Sequence, residues 1–283
     1  MMDNEIVQTI LNKCPDLTEN QILAMLQAEK NRTNGLIADK TLLRIIATNH
    51  GVELPKESTN DCKLLISYLI PSLNNVTIVG RIVAVYPAKA FEGVKPGKYA
   101  SLIIADKDEL LRVMLWNNKA DLIESGIVKV GQVVRFMRGY TKADRNGKTE
   151  LHIGEKSDVE VDPQDINKED YPSIGHFVSP VKGIKESKQS IHLVGKVENI
   201  SPLSTFTRQD NSVGKVLRFR IRDMTGDIEV VAWNEKAEKL EASLKNAAEL
   251  TLINARVKPA SSNSFEVHVD EFTYVEVFDG LKQ

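Results

Sequence analysis

The apolar positions of this chain keep two different periods, and the change falls near residue 76. Before it, they recur every three to four residues. Ile6, Ile10 and Leu11 share one side of a helix expected over 5–12. Thr18-Glu19-Asn20-Gln21 reads as a capping box, with Thr18 accepting from a first-turn amide and Gln21 reaching back. It opens a second helix bearing Ile22, Leu23, Met25 and Leu26. After the turn signal Asn34-Gly35, Asp39 is placed to cap a helix with Leu42, Leu43, Ile45 and Ile46, stopped at Gly51. A last helix over 61–69 is expected to end at Pro71. Residues 1–70 therefore read as a small all-α domain.

From Val76 the apolar residues alternate or form short β-branched runs divided by Gly, Pro and Asn, the pattern of strands. That pattern occurs twice. Val79-Gly80-Arg81 returns as Val194-Gly195-Lys196, 115 residues later. The stretch RVMLWNNKADLI, with Trp116, returns as EVVAWNEKAEKL, with Trp233, at a spacing of 117. Glu150-Leu151-His152 returns as Glu266-Val267-His268 at 116. Three anchors at one period predict a tandem duplication. Each copy lays out a first strand (76–85; 191–200), a long loop, a second strand (98–106; 216–223) and a third ending at Trp. A short helix (119–125; 235–244), a fourth strand (133–140; 249–257), a loop and a fifth strand follow. Five strands with a helix between the third and fourth is the plan of the OB-fold barrel. The expected fold class is mainly β, with a small all-α N-terminal domain and two tandem five-stranded OB-fold barrels. The expected bounds are 1–70, 74–161 and 191–278, with 162–190 as linker.

Alternation along each strand assigns faces. Ile228, Val230 and Ala232 point one way, with Glu229, Val231 and Trp233 on the other; Leu111, Val113 and Leu115 oppose Arg112, Met114 and Trp116 in the same manner. The uniformly apolar sets suit a barrel interior, so both tryptophans are expected to project outward. On the second strand Leu217, Phe219 and Ile221 face in, leaving Arg218, Arg220 and Arg222 as an outward basic stripe. Arg81 and Lys196 take equivalent outward positions on the first strands. The loops between strands one and two, and between four and five, carry Lys89, Phe91, Lys95, Phe206, Arg208, Lys142, Arg145, Lys148 and Lys258. An outward aromatic beside outward cations fits single-stranded nucleic acid, whose bases stack on rings while its phosphates follow positive charge. Blander readings stand beside this one. Each Trp could close a barrel mouth, the Arg stripe could be a solvated strand face, Phe91 and Phe206 could anchor their loops, and Tyr140 suits rim packing.

Composition changes this picture little. The 283 residues are 42% hydrophobic and 27% charged, with no apolar run of bilayer length and an acidic start unlike a secretory signal. The two cysteines form no metal-ligand spacing, so no metal, no cofactor and no membrane association are expected, and a reducing cytoplasm fits. Charge matters more. Residues 71–156 carry 14 Lys and Arg against 9 Asp and Glu, while the flanking segments are each net acidic.

These stretches resemble the archaeal replication protein A family of single-stranded DNA-binding proteins over nearly the whole chain. LTENQILAMLQAEKNRTNGLIADKTLLRIIATNHGVEL resembles that family's N-terminal helical region. VTIVGRIVAVYP with LWNNKADLI and GYTKADRNGKTELHIG resembles one DNA-binding OB domain. LVGKVENISPL with GKVLRFRIRDMTGDIEVVAWNEKAEKL resembles a second. The resemblance implies binding and protection of single-stranded DNA in replication, repair and recombination, with Trp116 and Trp233 stacking on bases, and work at the nucleoid. Where relatives carry a second aromatic platform in GKVLRF, this chain has Leu217. The helical domain is expected to bind replication or repair proteins, to self-associate, or to contact other replication protein A subunits.

Enzyme readings are weak. Gly93-Val94-Lys95-Pro96-Gly97-Lys98-Tyr99 is one residue short of a phosphate loop and ends in Tyr where a hydroxyl ligand for magnesium belongs. The five histidines are scattered, and the pair His152 and His268 follows from duplication. Asp106 and Asp223, at strand ends beside turns, read as caps. An RNA-binding OB module and a protein-binding adaptor using the outward face remain the alternatives.

Overall fold

A computed structural model describes residues 2–32, 39–52, 64–93, 96–260 and 264–278. The chain forms two compact units, Met1–Cys62 and Lys63–Gln283. In the first, α1 (Met2–Lys13), α2 (Glu19–Arg32) and α3 (Asp39–Asn49) close over Ile6, Val7, Ile10, Ile22, Leu43 and Ala47. The capping box forms as expected: the Thr18 N–H donates to Gln21 Oε1 at 2.8 Å, and the Gln21 N–H returns to Thr18 Oγ1 at 3.4 Å. Asp39 opens α3, but its carboxylate pairs with Lys30 Nζ at 2.7 Å. Gly51, at φ +70°, takes the left-handed turn that lets the Val52 N–H reach back to the Ala47 carbonyl. The turn signal Asn34-Gly35 lies outside the described residues.

The second unit holds two barrels of one topology. In the first, β1 (Val76–Phe91), β2 (Gly97–Ala105), β3 (Leu110–Trp116), β4 (Val133–Ala143) and β5 (Thr149–Ile153) pair in the order β1-β2-β3-β5-β4, and β4 returns to β1. The second repeats this ring with β7 (Lys188–Glu198), β9 (Val213–Arg222), β10 (Asp227–Trp233), β11 (Glu249–Pro259) and β12 (Phe265–Val269). In each, strands three and five run parallel. This is the OB-fold plan. The inward sets bury as alternation requires: Leu111, Val113 and Leu115 in one core, Phe219, Val230 and Ala232 in the other. Leu217 is fully buried there, so it offers no base platform. The helices between strands three and four are α4 (Asp121–Glu124) and α5 (Glu235–Ser243).

Several elements differ from the sequence expectation. Each barrel gains a sixth strand, β6 (Asp158–Val161) against β4 and β13 (Tyr274–Phe278) against β11. The region 87–97 is not one open loop, since β1 runs on to Phe91 and pairs with β2; Lys95 lies outside the described residues. In the second copy, β8 (Ser204–Thr207) hydrogen-bonds to β9 in the same place. The described part of the expected helix over 61–69 holds a single 3₁₀ turn, Ile66–Tyr68; Ile66 and the following Leu69 enter the first barrel's core.

The stretch 162–190 is equally well packed. Ile166 and Tyr171 bury against Val133. Its 3₁₀ turn Val181–Gly183 places Val181 in the second core, as Ile66 is placed in the first. Asp106 Oδ2 accepts the Ile66 N–H at 2.7 Å, and Asp223 Oδ2 accepts the Val181 N–H at 2.8 Å, so the duplication includes a plug beneath each barrel. Between the barrels Val83, Ala84, Ile103 and Ala105 of the first bury with Ile253 of the second, flanked by Ile174, Phe177 and Tyr274. Lys89 Nζ lies 2.8 Å from Glu271 across the same junction.

Candidate nucleic-acid interface

Trp116 and Trp233 end equivalent strands, and the Asn after each explains why the phrase is kept. Asn117 and Asn234 hold φ of 51° and 52°, a turn that Asn adopts more readily than most residues, and it ends the strand at the ring. Both indoles are half-buried on the outer face. Each N–H donates to a histidine Nδ1 at 3.0 Å, Trp116 to His152 and Trp233 to His268. An indole N–H and an imidazole lone pair both lie in their ring planes, so these bonds join the rings edge to edge. The planes meet at 12° and 27° respectively. The result in each barrel is a flat surface wider than an indole.

A phenylalanine stands edge-on to each platform. Phe91 meets Trp116 at 6.0 Å and 81°, and Phe206 meets Trp233 at 6.0 Å and 82°. Each lies over a glycine across the ladder. A Cβ on Gly97 would sit 2.7 Å from the Phe91 ring, and one on Gly214 2.3 Å from the Phe206 ring. These phenylalanines thus wall the tryptophans instead of forming a parallel second platform. The first barrel has further rings: Tyr99, opposite Trp116 in register, at 5.8 Å, and Tyr140, 5.1 Å from His152 and nearly parallel to it.

The expected cations divide sharply. Arg81 leaves the interface altogether: its guanidinium donates to the carbonyls of Tyr171, Gly131 and Lys168 at 2.6–2.7 Å and ties 162–190 to the first barrel. Arg218 faces Glu229 and Glu266, Arg220 faces Asp227, and Arg222 faces Glu198. The stripe is exposed as alternation requires, but carboxylates neutralise it. Arg112 lies 3.6 Å from Glu150. Arg208 covers Phe206 at 5.6 Å and donates to Ser212. Lys142, Arg145 and Lys148, on β4 and the turn after it, are exposed and form no ion pair among the described residues; Lys142 lies 5.2 Å from the Tyr140 ring centre. Lys196 and Lys258 are likewise exposed. Lys142 is the cation that stands by the first platform, close enough to act on His152, and Lys258 takes the equivalent register position in the second barrel. Burial, then the nearby Lys142, lowers the His152 pKa to about 4, so the ring stays neutral. Burial also raises Glu150 above the ordinary carboxylate range.

The sequence reading missed Tyr99, His152 and His268 as parts of the site. Tyr99 could have been placed by its cross-strand register, and the histidines by sharing the period of the tryptophans.

Comparisons with known proteins agree with this architecture. Residues 191–275 match a family model described as an OB-fold nucleic acid binding domain. Replication factor A of Methanothermobacter thermautotrophicus is 26% identical over 163 residues, covering 57% of this chain and 20% of its own length. The chain thus spans a fifth of that relative. A replication protein A heterotrimer bound to single-stranded DNA aligns at a TM-score of 0.54 with 12% identity, over 77% of this chain and 52% of that one, which shows a shared fold. Two barrels of one topology, matched in part by a nucleic-acid-binding model, make this chain an OB-fold protein similar to archaeal replication factor A.

Proposed function

We propose that the chain binds single-stranded DNA without strong sequence preference and protects it during replication, repair and recombination. It acts by binding, not by catalysis. The observation that carries this is the duplicated platform, an outward indole held nearly coplanar with a histidine, with exposed Lys142 beside the first. Unpaired bases present π-faces to such surfaces, while a duplex hides them, and stacking contributes ~1–3 kcal/mol per base. The similarity to replication factor A, and the single-stranded DNA in the heterotrimer of the same fold, support this choice of ligand. The barrels are unequal partners: the first supplies most of the affinity, and the second, whose arginines are paired, extends the contact. Residues 1–70 are proposed as a module for replication or repair proteins, other replication protein A subunits, or a second copy. No described helix is long and apolar enough to cross a membrane, and we place the protein's work at the nucleoid.

Titrating intrinsic Trp fluorescence with oligothymidylate, oligouridylate and a duplex at two salt concentrations tests this. The single strands should quench, the duplex should not, and affinity should fall with salt at a slope near −0.7 per phosphate neutralised. Preference for the ribo-oligomer would move the assignment to RNA. No response to either strand would leave the outward face to a protein partner and defeat the proposal.

A further inference from the structure

An indole has one polar atom, a donor. In both barrels that donor ends on Nδ1 of a histidine only 7% exposed, two residues after a glutamate on the fifth strand. With Nδ1 accepting, the neutral ring carries its proton on Nε2. In the second barrel His268 Nε2 lies 2.6 Å from Glu266, and Glu266 lies 3.4 Å from Arg218. The first barrel repeats the order at looser spacing. His152 Nε2 is 3.7 Å from Glu150, and Glu150 is 3.6 Å from Arg112 Nε. Filling space beneath a tryptophan requires a ring of that size. It does not require the same nitrogen to face the indole twice, nor a carboxylate behind the other nitrogen twice.

We infer that His152 and His268 are positioning residues of the interface: through Nδ1 each fixes its tryptophan ring in the plane on which a base stacks. In the second barrel Glu266 holds the histidine's tautomer, whereas His152 Nε2 makes no hydrogen bond among the described residues, so in the first barrel the indole bond alone selects it. The inference rests on the base-stacking function proposed above. A half-exposed indole without this bond samples other rotamers and must be ordered when a base arrives, which weakens binding.

The test uses the full chain with His268→Phe and His268→Asn, and the same pair at 152. Phe keeps the ring and removes the acceptor, whereas the Asn Oδ1 stands where Nδ1 stood. In the free protein, NMR reports each indole N–H, assigned with Trp116→Phe and Trp233→Phe. Oligothymidylate titration then reports affinity. The Phe variants should shift the partner indole N–H upfield, hasten its exchange and weaken binding about threefold to tenfold, the range of one ordinary hydrogen bond. The Asn variants should recover the N–H signal and bring affinity to within about twofold of wild type. Asn variants that fold yet bind as poorly as Phe variants overturn the inference, as does an indole N–H unmoved by His→Phe. If the N–H signals respond as expected but wild type binds no oligonucleotide, the stacking function itself has failed, and the positioning role falls with it for that separate reason.

Discussion

Trp116 and Trp233 occupy equivalent positions with unequal surroundings. Trp116 has Tyr99 at 5.8 Å and Tyr140 beyond its histidine, with exposed Lys142 beside that tyrosine. At the corresponding places Trp233 has Val216, opposite it in register, and Arg256, paired with Asp270, so it lacks both tyrosines while Lys258 matches Lys142. Trp116→Ala should therefore cost more oligonucleotide affinity than Trp233→Ala, with the larger loss near the upper end of the ~1–3 kcal/mol typical of one base stack. Parallel fluorescence-polarisation titrations with labelled oligothymidylate check this; equal losses would contradict the assigned asymmetry. His152 supplies a pH signature. The unfolded chain takes up its proton near the ordinary value of 6.5, while the folded site resists until about 4. The unfolded state thus holds more protons between these values, and stability must fall as pH drops through that window. His192, also lowered to about 4 by burial, adds to the same slope. Melting temperature should decline from pH 6.5 toward 4, and His152→Asn should flatten that decline without abolishing it.

At the scale of elements, the unit that repeats is longer than the strands alone. It begins with a 3₁₀ plug, Ile66–Tyr68 or Val181–Gly183, and ends with a sixth strand paired to the fourth. An aspartate joins plug to barrel. Asp106 is 3% exposed, takes the Ile66 N–H on one oxygen and the N–H groups of Asp108 and Glu109 on the other. Replacing it with Ala strands a buried donor, and unsatisfied buried groups cost about 1–3 kcal/mol each. Asp106→Ala should lower the unfolding midpoint in urea while leaving the m-value unchanged. A fall in oligonucleotide affinity without any loss of stability would show instead that the aspartate serves the interface.

Across the whole molecule, equivalent outward positions have diverged to opposite ends. Register equates Ser101, Ile103 and Ala105 of β2 with Arg218, Arg220 and Arg222 of β9. In the first barrel Ile103 and Ala105 are buried by Ile253, Ile174 and Phe177, so the second barrel and the stretch before it dock there. In the second barrel the same face is exposed, charged and internally paired. The barrels are therefore one packed body and not two beads on a tether. Ile253→Asp buries a carboxylate in that junction, a change costing several kcal/mol unless the barrels part. Calorimetry should show one barrel transition in wild type, and in the variant that transition split in two or shifted well down. An unchanged single transition would mean that the junction contributes nothing to cooperativity.

The sequence determined the fold plan because its signals are periodic and local. The change from helical to strand period, the inward sets such as Leu111-Val113-Leu115, the capping box at Thr18 and the Trp-Asn repeat are all set by neighbours close in the chain. It also determined that the tryptophans and arginines share an outward face, since alternation fixes the direction of a side chain. It did not determine what each outward group meets. Arg81 bonds to carbonyls 50 to 90 positions away, Arg218 faces glutamates on two other strands, and each indole ends on a histidine 35 or 36 positions along. Only tertiary structure decided these, because a charged or polar group's effect depends on which partner lies within about 4 Å, and no period along the chain encodes that distance. For the same reason 162–190 read as a linker: its composition is polar, and the few apolar residues that anchor it find their pockets only once both barrels have closed.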